Sequence, residues 1–208
     1  MTDVACEWTL VTAPVLSALS VAQAKAQAHI THTTEDALVD SYIQAATGDA
    51  EAFMARGLLT QTWKLSLEAF ADVLWLPMAA PLQNDAAANP STAPIVKYYD
   101  VNGTLQTLAT TVYTVDTTSR PGRIVRAPSQ TWPALQGDRR SGKVEITYVV
   151  GWTAPELIPA RIQQGLRLAV SACHCDRDGL EENSARARQA AEACWTDRVF
   201  WKPPQACA

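Results

Sequence analysis

Residues Ile95–Val125, IVKYYDVNGTLQTLATTVYTVDTTSRPGRIV, decide the fold class. Val96, Tyr98, Tyr99 and Val101 lead into Asn102-Gly103, and Leu105 and Leu108 lead away from it. This dipeptide predicts a hairpin closed by a type I′ turn, whose two central residues both need positive φ. Val112, Tyr113 and Val115 then run into Arg120-Pro121-Gly122 and return through Ile124 and Val125, a second strand pair. The residues are β-branched, aromatic and turn-forming, so the stretch reads as scaffold.

The alternation continues on both sides. Upstream, Trp63, Leu65 and Leu67 alternate with Thr62, Lys64, Ser66 and Glu68, the pattern of a half-buried strand. Val73–Leu76 forms a short strand closed by Pro77, and Gln83–Pro94 is a polar, proline-bounded loop. Downstream, Ala127–Gly142 is irregular, and Val144, Ile146, Tyr148 and Val150 give a last strand.

Beyond these limits the period changes to that of a helix. Ser20 caps a short helix, and Val39, Ile43, Ala46, Ala50, Phe53 and Met54 stripe a longer one that stops at Arg56-Gly57. From Pro155, Ile158, Ile162, Leu166, Ala169, Val170 and Cys173 share one face up to Asp178-Gly179. Ala187, Ala191, Cys194 and Trp195 stripe a final helix. Helices, then strands, then helices indicate an α+β fold: a helical body, a small inserted antiparallel β-subdomain and a C-terminal helix. The expected division is an N-terminal arm over 1–19, a helical body from 20–57 and 153–202, a β-rich insertion over 58–152 and a tail over 203–208. Trp8, Leu10 and Val11 are available to dock the arm.

The chain has 208 residues, enough for one substantial core, and 18% of them are charged, below the roughly 25% usual for soluble domains. The net charge of −4 argues against gripping nucleic acid through a broad basic surface, though not against a surface that DNA passes. No apolar run approaches the roughly 18 residues needed to span a bilayer, and the acidic start MTDVACEWTL has no hydrophobic leader core. The five cysteines, Cys6, Cys173, Cys175, Cys194 and Cys207, are odd in number and read as reduced thiols.

Candidates for chemistry are few. Cys173-His174-Cys175 turns its two thiols about 200° apart on a helix, which suits a core position better than one ion. His29 and His32 offer two ligands without a third, and the three histidines supply few bases for a nucleophile. Glu35-Asp36 and Glu181-Glu182 sit where helix starts favour negative charge. Gly151 and Gly165 stand alone, and no phosphate-cradling glycine loop occurs. No catalytic residue, cofactor site or metal site is assigned. Arg120, Arg123, Arg126, Arg139, Arg140 and Lys143 form a candidate surface for DNA or an acidic partner, or simply exposed strand and loop charges. Near the C-terminus, Trp195, Val199, Phe200, Trp201, Lys202, Pro203 and Pro204 put large apolar groups beside a chain end. They fold back on the core or insert into a neighbouring protein.

The segments SVAQAKAQAHI, EDALVDSYIQAA, GLLTQTWKLSLEAF, VKYYDVNGTLQTL, VYTVDTTSRPGRIV, VEITYVVGW and PELIPARIQQGLRLAV occur in that order from about Ser20 to Asp178. In this order the chain resembles head–tail connector proteins (adaptors, or head-completion proteins) of tailed phages, prophages and gene transfer agents, in the subgroup with a β insertion. The resemblance implies a non-enzymatic subunit of a homo-oligomeric ring, usually a dodecamer, at the head–tail junction of a particle assembled in a bacterial cytoplasm. Its implied partners are the portal protein, a stopper or tail-terminator protein, and DNA passing through the channel without sequence-specific binding, with no membrane. It also implies that the segment from Trp195 to Pro204 docks on the portal. An N-terminal arm and C-terminal helix ordered mainly by other chains fit this reading. The competing expectations are a DNA-binding module built on the arginine-rich β region, and a small hydrolase using His29 or His174.

Overall fold

The computed structural model describes residues 6–78, 93–116, 122–139, 142–175 and 182–196. In chain order the elements are β1 (Cys6–Thr12), α1 (Val21–Ala28), α2 (Asp36–Met54), β2 (Gln61–Leu67), β3 (Val73–Trp75) and β4 (Ile95–Tyr99). Then follow β5 (Leu105–Thr107), β6 (Tyr113–Asp116), β7 (Arg123–Arg126), β8 (Val144–Val150), α3 (Ala160–Cys175) and α4 (Glu182–Trp195). This is a mixed fold of helices and antiparallel sheets. One sheet has the order β1-β2-β8-β4-β5 and the other β3-β7-β6.

The two sheets bury a shared core. Alternation along β8 sends Val144, Ile146, Tyr148 and Val150 inward, where they meet Leu65 and Leu67 of β2, Leu74 of β3 and Ile124 of β7. Each such side chain contributes roughly 1.5–3 kcal/mol by leaving water. The Tyr148 hydroxyl donates to the Pro77 carbonyl at 2.8 Å, and burial pushes this phenol far above its ordinary pKa. Phe70 and Trp132 stack at 4.6 Å, tying the loop after β2 to the irregular stretch before β8.

The helices bury a second core. Ser20 and Gln23 form a capping box at the start of α1: the Ser20 hydroxyl accepts from the Gln23 backbone N–H at 3.2 Å, and the Gln23 side-chain oxygen accepts from the Ser20 N–H at 3.0 Å. Val39, Ile43, Ala46, Ala50 and Met54 of α2 face Ile162, Leu166, Ala169 and Val170 of α3. Ala18 and Leu19, just before α1, and Leu58, Leu59 and Trp152 also belong to this core. Three neighbouring strands therefore hand the chain to the helices at one end of the sheet. β1 leaves at Thr12 beside Thr62, β2 begins at Gln61, and β8 ends opposite it at Val150.

Several local expectations are corrected. The β4–β5 turn is not type I′. Gly103 has φ +78° while Asn102 is not among the positive-φ residues, and the Gly103 N–H donates to the Asp100 carbonyl at 2.9 Å. This is a three-residue loop with a type I turn and a left-handed glycine. Asp100 causes it: its carboxylate accepts from the backbone N–H groups of Asn102 at 2.9 Å and Thr104 at 3.0 Å, fixing the turn one residue earlier. Likewise α2 ends with Ala55, not Gly57, in the left-handed conformation (φ 51°), since both the Ala55 and Arg56 N–H groups close on the Glu51 carbonyl. The N-terminal segment from Cys6 has a partner within its own chain. β1 pairs along β2 within the chain, by backbone, while Trp8 and Leu10 stay exposed. The C-terminal helix up to Trp195 packs on α3.

Glu51 joins α2 to β2. Its carboxylate accepts from the Leu58 backbone N–H at 2.7 Å and from the Gln61 side-chain amide at 2.8 Å. Burial outweighs both hydrogen bonds and holds its pKa above the ordinary 4.5. The folded protein thus keeps this proton more readily than the unfolded chain. The stabilisation from protonation is complete below pH 4.5 and is lost as pH rises through the raised folded value. Glu51→Gln keeps an acceptor without the charge, so its stability relative to the parent, measured by urea unfolding, should grow from pH 4 to pH 7. A difference that stays flat with pH would contradict this. Glu51→Ala strands both donors and should cost about 1–3 kcal/mol at pH 4, and less at pH 7, where the parent has lost the stabilisation from protonation.

Candidate functional site

The structure divides the predicted basic cluster. Arg123 and Arg126 lie on β7, three residues apart and therefore on opposite faces. The Arg123 Nε donates to Asp116 at 2.7 Å, and its guanidinium lies 5.4 Å from the Trp75 ring. Arg126 pairs with Asp72 at 3.6 Å. Arg139 sits elsewhere, its guanidinium 3.7 Å over the Tyr99 ring and its Nε donating to the Gly142 carbonyl at 3.1 Å. Half-buried Lys143 precedes β8, and its carbonyl accepts from the Tyr99 N–H at 2.9 Å. Arg120 and Arg140 lie outside the described residues. The described arginines are thus held by acids, aromatic faces and backbone of their own chain, in two separate places.

Trp195 is buried, 3% exposed, in the helical core. Its indole Nε1 donates to the Ile162 carbonyl at 3.4 Å, and its ring lies 6.0 Å from that of Phe53. The slot exists because residue 165 is glycine: a Cβ there would stand 2.2 Å from the Trp195 Nε1. Gly165 stands alone in the sequence as a glycine that opens no phosphate loop, and its place inside a helical stripe marks a packing role instead. Arg161 in the first turn of α3 donates to the Ala193 carbonyl at 3.2 Å, so the chain leaves α4 beside the start of α3. Val199, Phe200, Trp201, Lys202, Pro203 and Pro204 lie outside the described residues.

Cys173, His174 and Cys175 point in different directions. Cys173 lines a cleft of about 470 Å³ between α2, α3 and α4, together with Asp49, Arg188 and Glu192. His174 faces Glu35 at 3.4 Å, and Cys175 is exposed. Among the described residues no three His, Cys, Asp or Glu side chains gather as metal ligands. The cleft brings no histidine to its one thiol, so a thiol–imidazole pair is not assembled there. No helix among the described residues is long and apolar enough to cross a membrane.

No protein-family model matches the chain, and no curated protein does. Among solved structures it is similar to a chain in the virion of a native gene transfer agent particle, with TM-score 0.70 and 21% identity over 90% of this chain and 94% of that one. It is also similar to a chain in the neck of a native gene transfer agent particle computed with C12 symmetry, with TM-score 0.69 and 21% identity over 91% and 94% of the two chains. A chain in the neck of an empty particle computed with C6 symmetry gives 0.68 at the same identity and coverage. At this identity the likeness is one of fold, and it spans nearly the whole of both chains.

Proposed function

We propose that this protein is a structural head–tail connector, an adaptor that forms a ring between the portal and the stopper or tail proteins of a phage-like particle. The observation that carries the reading is the fold likeness over 91% of this chain and 94% of a chain from a particle neck. The scattered, internally paired arginines support DNA passage over DNA binding. In this reading the helical body spans 20–57 and 153–202, the β-rich part spans 58–152, and twelve copies close the ring.

Electron microscopy of particles made with and without the gene product tests the role. Filled heads that lack tails or leak DNA are expected in its absence; normal tailed particles would overturn the proposal. Salt-sensitive binding of the isolated protein to duplex DNA would instead support a DNA-binding module.

The portal-docking segment is proposed to begin after Trp195, since that residue is occupied within the chain. A chain lacking residues 199–208 should fold with an unchanged unfolding midpoint and fail to bind portal-bearing heads in a sedimentation assay. Undiminished binding would remove the tail from the interface.

A further inference from the structure

Among the described residues, five exposed large hydrophobic residues fall between Trp8 and Leu16, and three more, Ile95, Val101 and Leu105, lie on the β4–β5 hairpin. Trp8, Leu10 and Val11 lie on β1, Ile95 on β4, Val101 in the turn and Leu105 on β5, and β1 and β5 are the outer strands of one five-stranded sheet. Four strand spacings, about 19 Å, separate them, so neither can cover the other within a chain.

Among the described residues each edge is also open along its backbone: β1 pairs only with β2, and β5 only with β4. β1 carries a single charged residue, Glu7, β5 carries none, and neither contains proline, so charge and proline do little to protect these edges. Trp8 and Leu10 stand opposite Leu65 and Trp63. The face that is core on β2 therefore continues onto β1 and emerges there, with Trp8 50% and Leu10 46% exposed.

Two different apolar edges on opposite sides of one subunit are what a head-to-tail contact requires, since each copy must offer both halves of the joint. We infer that copies of this chain join through these edges, β1 of one copy lying along the β4–β5 hairpin of the next. The inference rests on the ring proposed above and supplies its subunit contact.

Two variants test it, Trp8→Glu with Leu10→Glu, and Val101→Glu with Leu105→Glu. All four side chains are at least 42% exposed, so both proteins should keep the parent circular dichroism. The parent should self-associate as concentration rises, while each variant alone stays monomeric in light scattering. Mixed, they should form a one-to-one complex of twice the monomer mass and stop there, because one intact edge of each kind remains. A second readout is independent of these charges: Thr9→Cys chains mixed with Gln106→Cys chains should cross-link through a short bismaleimide above the parent's background. A parent that stays monomeric, with neither complex nor cross-link, would overturn the inference. If both variants associate as the parent does, this contact fails and the ring stands. If they pair as expected but the protein does not bind tail-less filled heads, the contact stands and the connector reading fails.

Discussion

Gly151→Ala should destabilise the protein by more than about 4 kcal/mol, or prevent its folding. The chain turns sharply at Gly151, with φ +91°, so that Trp152 forms a parallel bridge with Leu59 although β8 and β2 run antiparallel. A Cβ there would stand 2.1 Å from the Leu59 carbonyl oxygen and 2.3 Å from its carbon. Those are backbone atoms and cannot rotate away. Relief means parting the strands, which breaks the hydrogen bonds from the Trp152 N–H to Leu58 at 2.9 Å and from the Thr60 N–H to Trp152 at 3.0 Å. It also dislodges Trp152, 1% exposed beneath the Arg56 guanidinium at 3.8 Å. The left-handed backbone adds roughly 1–3 kcal/mol of strain for alanine. Gly48 is the control: it lies within α2 and a Cβ there meets nothing within 4 Å. Gly48→Ala should therefore stabilise by about 0.5–1 kcal/mol. Urea unfolding of the two variants checks both signs, and similar midpoints would refute the argument.

A second large effect is expected at the contact between α3 and α4. Trp195→Ala should cost about 3–5 kcal/mol by emptying a buried aromatic site. Gly165→Ala alone should destabilise by about 1–3 kcal/mol, because its Cβ displaces the indole, even though alanine is the better helix former by about 1 kcal/mol. With Trp195→Ala already present, the same Gly165→Ala change should become neutral or stabilising. That change of sign is the test, read from a double-mutant cycle of unfolding free energies. Simple additivity would mean that Gly165 does not make the slot.

Elements whose order comes from local pattern were legible in the sequence. The alternation of β8 and the stripes of α2 and α3 each report one buried face, and the structure buries the residues they name except Phe53 and Cys173, which are half-buried. What escaped depended on partners far along the chain or on a single side chain. The β4–β5 turn followed the Asp100 carboxylate instead of the Asn-Gly pair. Cys6, Trp8 and Leu10 of β1 alternate with Glu7 and Thr9, but alternation does not name a partner, so the pairing with β2 was not legible. Trp195 belonged both to the stripe of the last helix and to the candidate interface, and Gly165, thirty residues earlier, supplies its seat within the chain. The basic residues clustered in sequence but not in space, since Arg123 and Arg126 project from opposite sides of one strand.

The three chain passages between sheet and helices issue side by side, from β1, β2 and β8. They act like three hinges set along one edge of a door. Twisting or sliding of one half against the other must stretch at least one passage, while tilting about the line that joins them stretches none. Tilting about that line is thus the displacement the passages resist least, and Gly151, beside the buried Trp152, lies on it.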